Sequence, residues 1–140
     1  MKKTIAIFAI VALFAMSLQA QLVGKNRQMI KTEMAEDEYV LTEYNAETNT
    51  DYYYSSQLEL MFMCCYDSGN GNYCYKIGLA GNKSNVQLYN TLVQSIKDEC
   101  VYDSSNSMYA DYAQGVYHWY EYNYADGVWM YYTLDMNYAN

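Results

Sequence analysis

The sequence predicts an α+β fold: a two-layer sandwich in which an antiparallel sheet carries two helices packed on one face. Three observations predict it. Residues 25–36 and 84–101 place apolar side chains at helical spacing, whereas residues 57–80 and 116–136 alternate around turn clusters. Consecutive hairpins make antiparallel neighbours, and two amphipathic helices suffice for one face only. The third observation is compositional: 19 Tyr stand against 3 Phe and 2 Trp, and there is no Pro. Tyrosine has a large apolar body and a polar tip, which suits half-buried sheet faces and contact surfaces.

Residues 1–20 read as a secretory signal peptide. Lys2 and Lys3 precede an apolar run at 4–16 that is short for a bilayer span, and Leu18 and Ala20 sit where a signal peptidase inspects the chain. Cleavage between Ala20 and Gln21 leaves residues 21–140 as a single domain, periplasmic or secreted. Losing Lys2 and Lys3 takes the formal charge from −8 to −10, and residues 101–140 contain no Lys or Arg. Such a surface repels phosphate backbones, so nucleic acid is excluded as a partner, and no later apolar stretch approaches a membrane span. The first cysteine is Cys64, so no lipid-attachment Cys stands at the cleavage point.

The first helix, 25–36, puts Met29, Ile30 and Met34 on one face behind Gly24 as its cap. β-prone residues at 38–44 follow, then a polar turn at 45–51 and a strand opening at Tyr52. Strands at 57–66 and 73–80 flank the turn Asp67-Ser-Gly-Asn-Gly-Asn72. With Tyr66 opposite Tyr73, Leu60 opposes Leu79, Phe62 opposes Ile77 and Cys64 opposes Tyr75 on one face, while Cys65 meets Cys74 on the other. In the second helix, 84–101, Ser84 is the cap, and Val86, Tyr89, Leu92, Val93, Ile96 and Cys100 form the apolar stripe. Residues 103–114 are polar and acidic and read as loop. A final hairpin, 116–124 with 128–136, turns on the three residues Ala125-Asp126-Gly127. That register sets His118, Tyr120, Tyr122 and Tyr124 inward beside Val128, Met130, Tyr132 and Leu134. It sets Trp119, Glu121 and Asn123 outward beside Trp129, Tyr131 and Thr133. No internal repeat is visible.

Four cysteines in a short exported chain suggest two disulfides with three possible pairings. The hairpin register selects Cys65–Cys74 and Cys64–Cys100, each worth about 2–4 kcal/mol; a vicinal Cys64–Cys65 bridge is the strained alternative. No metal or other cofactor is expected. There is no C-x₂-C pair, adjacent strand cysteines point opposite ways, and His118 is the only histidine. Gly69 stands where a calcium loop over 67–72 needs an oxygen ligand, and the acidic run Glu36-Asp37-Glu38 reads as a solvated helix end.

No nucleophile–base signature is present, so catalysis is not expected. The alternative is a small secreted hydrolase using His118 with Glu121 or Asp135, or a carboxylate pair. Trp119, Trp129 and Tyr131, with Glu121 and Asn123 between them, are the candidate binding surface for a protein or glycan partner. The opening Gly24-Lys25-Asn26-Arg27-Gln28-Met29-Ile30, the strand-then-helix stretch from Cys74 to Tyr102 and the aromatic hairpin after it resemble small exported Gram-negative bacterial α+β proteins. The helix-then-sheet plan is similar to the class containing the outer-membrane assembly lipoprotein BamE and the β-lactamase inhibitor protein. That resemblance implies a binding role rather than an enzymatic one.

Overall fold

The computed structural model describes residues 19–139. The expected leader lies outside the described residues except for Gln19 and Ala20. Residues 19–22 are helical, and Gln19 and Leu22 are fully buried.

Helix α1 (Arg27–Glu36) leads into strands β1 (Val40–Asn45), β2 (Thr50–Ser55), β3 (Leu60–Asp67) and β4 (Tyr73–Gly81). Helix α2 (Val86–Glu99) leads into β5 (Val101–Asp103), β6 (Met108–Asp111), β7 (Val116–Asn123) and β8 (Val128–Asp135). All eight strands form one antiparallel sheet in the order β1-β2-β3-β4-β8-β7-β6-β5. One plan thus occurs twice: a helix, then a meander that runs from a sheet edge to the centre. The two meanders meet where β4 pairs with β8.

The turns explain why this works. Five hairpin loops (46–49, 56–59, 104–107, 112–115 and 124–127) have four residues each, and each ends on a left-handed residue: Asn49, Glu59, Ser107, Gly115 and Gly127. The strand residue before each loop accepts a loop amide on its side chain. Asn45 takes Glu47 N, Ser55 takes Leu58 N, Asp103 takes Ser105 N, Asp111 takes Gln114 N and Asn123 takes Ala125 N. A short polar side chain stands in for a backbone acceptor, and a final left-handed residue re-aims the chain into the return strand. The repeat therefore resides in turn chemistry, while the strands between carry different side chains.

This turn length corrects the final hairpin. With four loop residues, Asn123 pairs with Val128, Trp119 with Tyr132 and Tyr120 with Tyr131. One residue more in the loop turns every side chain of β8 to the other face. His118, Tyr120 and Tyr122 do point to the core, but their neighbours are Trp129, Tyr131 and Thr133; Met130, Tyr132 and Leu134 point away. The first hairpin is corrected too. Phe62 pairs with Leu79, Cys64 with Ile77 and Cys65 with Lys76, and an irregularity after Cys65 sets Tyr66 against Cys74. The register moves by two, so Leu60, Phe62, Cys64, Ile77 and Leu79 keep the face the alternation predicts.

Other boundaries move for local reasons. Asn26, not Gly24, caps α1, its side chain accepting Met29 N; Gly24 instead takes φ +97° against the Tyr73 ring. A 3₁₀ turn, Lys83–Asn85, precedes α2 and is capped by Asn82 rather than Ser84. The expected loop at 103–114 contains most of a hairpin, β5 with β6, whose strands are too short and polar to show alternation.

One hydrophobic cluster joins the helices to the sheet. Ile30 and Met34 of α1 and Leu88, Tyr89, Leu92 and Ile96 of α2 join Tyr53, Phe62, Cys64, Tyr66, Ile77, Leu79, Trp129 and Tyr131 of the strands. Arg27 ties α1 to the sheet: it bonds Asp51, which is 2% exposed, and Asn49, and it lies over the Tyr44 and Tyr66 rings. No helix among the described residues is long and apolar enough to cross a membrane.

Candidate functional site

Strand alternation divides the sheet into a core-directed face and a second face. The second face carries Tyr52 and Tyr54 of β2, Met61 and Met63 of β3, Lys76 and Ala80 of β4, Met130, Tyr132 and Leu134 of β8, and Trp119 and Glu121 of β7. These side chains are half-buried by one another; Tyr54 and Met61, at 37% and 38%, are among the more open. The Trp119 and Tyr132 rings stack at 4.8 Å with an interplanar angle of 17°. Lys76 Nζ lies over both, 6.0 and 5.5 Å from their centroids. The result is a continuous tyrosine, tryptophan and methionine surface across five strands, with Lys76 and Glu121 among its few charges.

The expected binding residues separate. Trp119 and Glu121 lie on this face. Trp129 and Tyr131 do not: both are fully buried on the core side. The Trp129 indole N–H is shared between Asn82 O, at 3.1 Å, and Asn85 Oδ1, at 2.9 Å. Gly81 lies so close beneath the indole that a Cβ there would meet it at 2.3 Å. Asn123 serves its turn, accepting Ala125 N and donating to Asp126.

The cysteine pairing also changes. All four thiols are free. Cys65 points to the second face, where Thr50 reaches its sulfur at 3.6 Å, whereas the irregularity in β3 turns Cys74 to the core. Cys64 also points to the core, where the Cys74 thiol beside it, then burial, hold its thiol well above the ordinary value. Cys100 lies elsewhere, at the C-terminal cap of α2, so neither expected pair is brought together.

His118 is 1% exposed and stacks on Tyr131 at 5.5 Å. Its Nδ1 lies 3.0 Å from Thr133 Oγ1, and Thr133 donates its proton to Gln19 Oε1 at 3.0 Å. Burial pushes the imidazole down to about 4, against the pull of Asp111. Glu121, named with His118 in the hydrolase alternative, lies on the opposite face. Two residues that the sequence did not connect with His118 do approach it: a ring nitrogen of His118, Cys100 Sγ and a carboxylate oxygen of Asp111 all lie within 4.8 Å of one another. Burial, then Asp111 and Glu99, push the Cys100 thiol up to about 11. The spacing of 18 residues between Cys100 and His118, across a hairpin that the sequence hides, gave no signal.

No protein-family profile, curated protein or solved structure matches the chain.

Proposed function

We propose that this protein is an exported binding module that docks a protein partner on the second face of its sheet. The reading takes α1 and α2 to cover the core-directed face together, as a two-layer sandwich. Burial of residues from both helices in one cluster with Phe62, Leu79 and Trp129 supports that layout. The second face is then left without a layer of its own.

The carrying observation is the unbroken aromatic and methionine surface from Tyr52 and Tyr54 through Met63 and Met130 to Trp119. Interface centres are rich in tyrosine, tryptophan and methionine and poor in charge. Methionines add a pliable, polarizable surface that adapts to a partner's side chains. A protein is favoured over a glycan because sugar recognition needs free ring faces, and Trp119 and Tyr132 already use theirs on each other and on Lys76. Export rests on the leader at residues 1–20 and sets the partner in the envelope or the medium. A hydrolase is disfavoured: His118 is buried, and a thiol raised to about 11 is a poor nucleophile.

The test immobilises wild type, Met63→Glu and the loop-tip variant Tyr124→Glu, and offers each the proteins and glycans of the producing cell's envelope. A protein retained by wild type and Tyr124→Glu but lost by Met63→Glu supports the reading. Retention of a glycan alone, or equal retention by all three, refutes it.

A further inference from the structure

We propose that Cys100, Asp111 and His118 form a binding site for a divalent transition metal of the zinc class. The three donors come from three elements: the cap of α2, the end of β6 and the core-directed side of β7. Their ligand atoms lie within 4.8 Å of one another. Around a tetrahedral Zn²⁺, with bonds of about 2.0–2.3 Å, donors stand roughly 3.3–3.8 Å apart, so an approach of about 1 Å closes the site. A thiolate, an imidazole and one carboxylate suit a borderline metal. Calcium and magnesium call for all-oxygen sets, which this cluster does not offer.

Two further observations point to a ligand. The Tyr131 hydroxyl is fully buried and has no hydrogen-bond partner. A buried phenol without a partner is costly, by about 1–3 kcal/mol, and calls for an explanation. It lies within electrostatic reach of Cys100 and Asp111, the two donors beside the imidazole. A bound metal, or a water on its fourth position, would give that hydroxyl a partner. The second observation is the outer support of the imidazole. Thr133 Oγ1 lies 3.0 Å from Nδ1; metal-binding histidines are commonly oriented by such a second bond. Cys100 and Asp111 are half-exposed, so an ion can enter from solvent. The site belongs to the core side of the sheet and is independent of the docking face.

Asp111 also opens the 112–115 loop through Oδ1 and Gln114 N, which supplies a clean variant. Asn holds the equivalent place in the 46–49 and 124–127 loops, so Asp111→Asn keeps the turn and removes the anionic donor. The full chain, purified as the host delivers it, is stripped with chelator and titrated with Co²⁺ as a spectroscopic probe. The expected result is one Co²⁺ per chain, with a thiolate-to-cobalt charge-transfer band and strong visible bands that Zn²⁺ bleaches. Cys100→Ser abolishes the charge-transfer band, Asp111→Asn weakens binding at least tenfold, and Tyr131→Phe weakens it about 10-fold or more. Cys65→Ser leaves it unchanged. Far-UV circular dichroism and urea midpoints on each variant separate loss of a ligand from loss of the fold. Absence of the band in wild type whose Cys100 titrates as a free thiol overturns the proposal. So does a band that survives in Cys100→Ser or disappears in Cys65→Ser.

Discussion

The final hairpin offers a sharp test, because its two tryptophans exchange roles if the β7–β8 register moves by one residue. Trp129 is fully buried, donates its N–H to Asn82 O and Asn85 Oδ1, and packs on Tyr89 at 5.5 Å. Trp129→Ala removes a large core side chain, costing about 4 kcal/mol, the middle of the range for such truncations. Trp119 is half-exposed and loses mainly its stack on Tyr132, about 1 kcal/mol, and its contact with Lys76, about 0.5 kcal/mol. At roughly 3 °C per kcal/mol for a domain of this size, Trp129→Ala lowers Tm by about 12 °C and Trp119→Ala by about 5 °C. Each variant leaves one indole as reporter, so urea unfolding followed by fluorescence reads stability and environment together. The indole remaining in Trp119→Ala emits in the blue and resists acrylamide quenching; the one remaining in Trp129→Ala emits further to the red and is quenched. Equal costs, or a shielded Trp119 beside a quenched Trp129, would refute the register and with it the composition of the second face.

Gly81→Ala places a Cβ 2.3 Å from both Asn85 Oδ1 and the Trp129 ring, so it costs about 2 kcal/mol by overpacking, read as a lower urea midpoint. Arg27→Ala strands the buried Asp51 carboxylate and uncovers Tyr44 and Tyr66. It costs about 3 kcal/mol, and adding Asp51→Asn recovers part of that in a double-mutant cycle. Tyr39, through burial, and Tyr73, through its bond to Asp135, are each raised from 10.0 to about 12. A raised value favours the protonated phenol in the folded state. Their contribution is therefore complete below pH 10 and is lost as pH rises from 10 to about 12, visible as tyrosinate absorbance that appears together with unfolding. In chelator-stripped native protein the half-exposed Cys100 reacts with a thiol reagent before the buried Cys64, Cys65 and Cys74, and all four react in urea; equal native rates would contradict the placement of β3, β4 and the α2 cap.

Short-range chemistry was legible without coordinates. The apolar stripe Val86, Tyr89, Leu92, Val93 and Ile96 defines α2 because a helix must bury one face, and alternation at 60–66 and 77–79 defines which residues of β3 and β4 face the core. Turn chemistry was present in the letters too: Asn45, Ser55, Asp103, Asp111 and Asn123 each stand five residues before the next strand. Reading that spacing would have found β5 and β6 and set the last loop at four residues. Tertiary structure alone decided the rest. The pairing of β4 with β8 joins Gly81 to Trp129, 48 residues apart, and nothing local encodes which strand takes the centre. This pairing encloses Trp129 and Tyr131 between the two meanders, the irregularity after Cys65 separates Cys65 from Cys74, and the β5–β6 and β6–β7 pairings gather Cys100, Asp111 and His118 beneath one helix end. Periodicity tells a residue which way it points along its own strand; only the packing of distant strands tells it what it meets there.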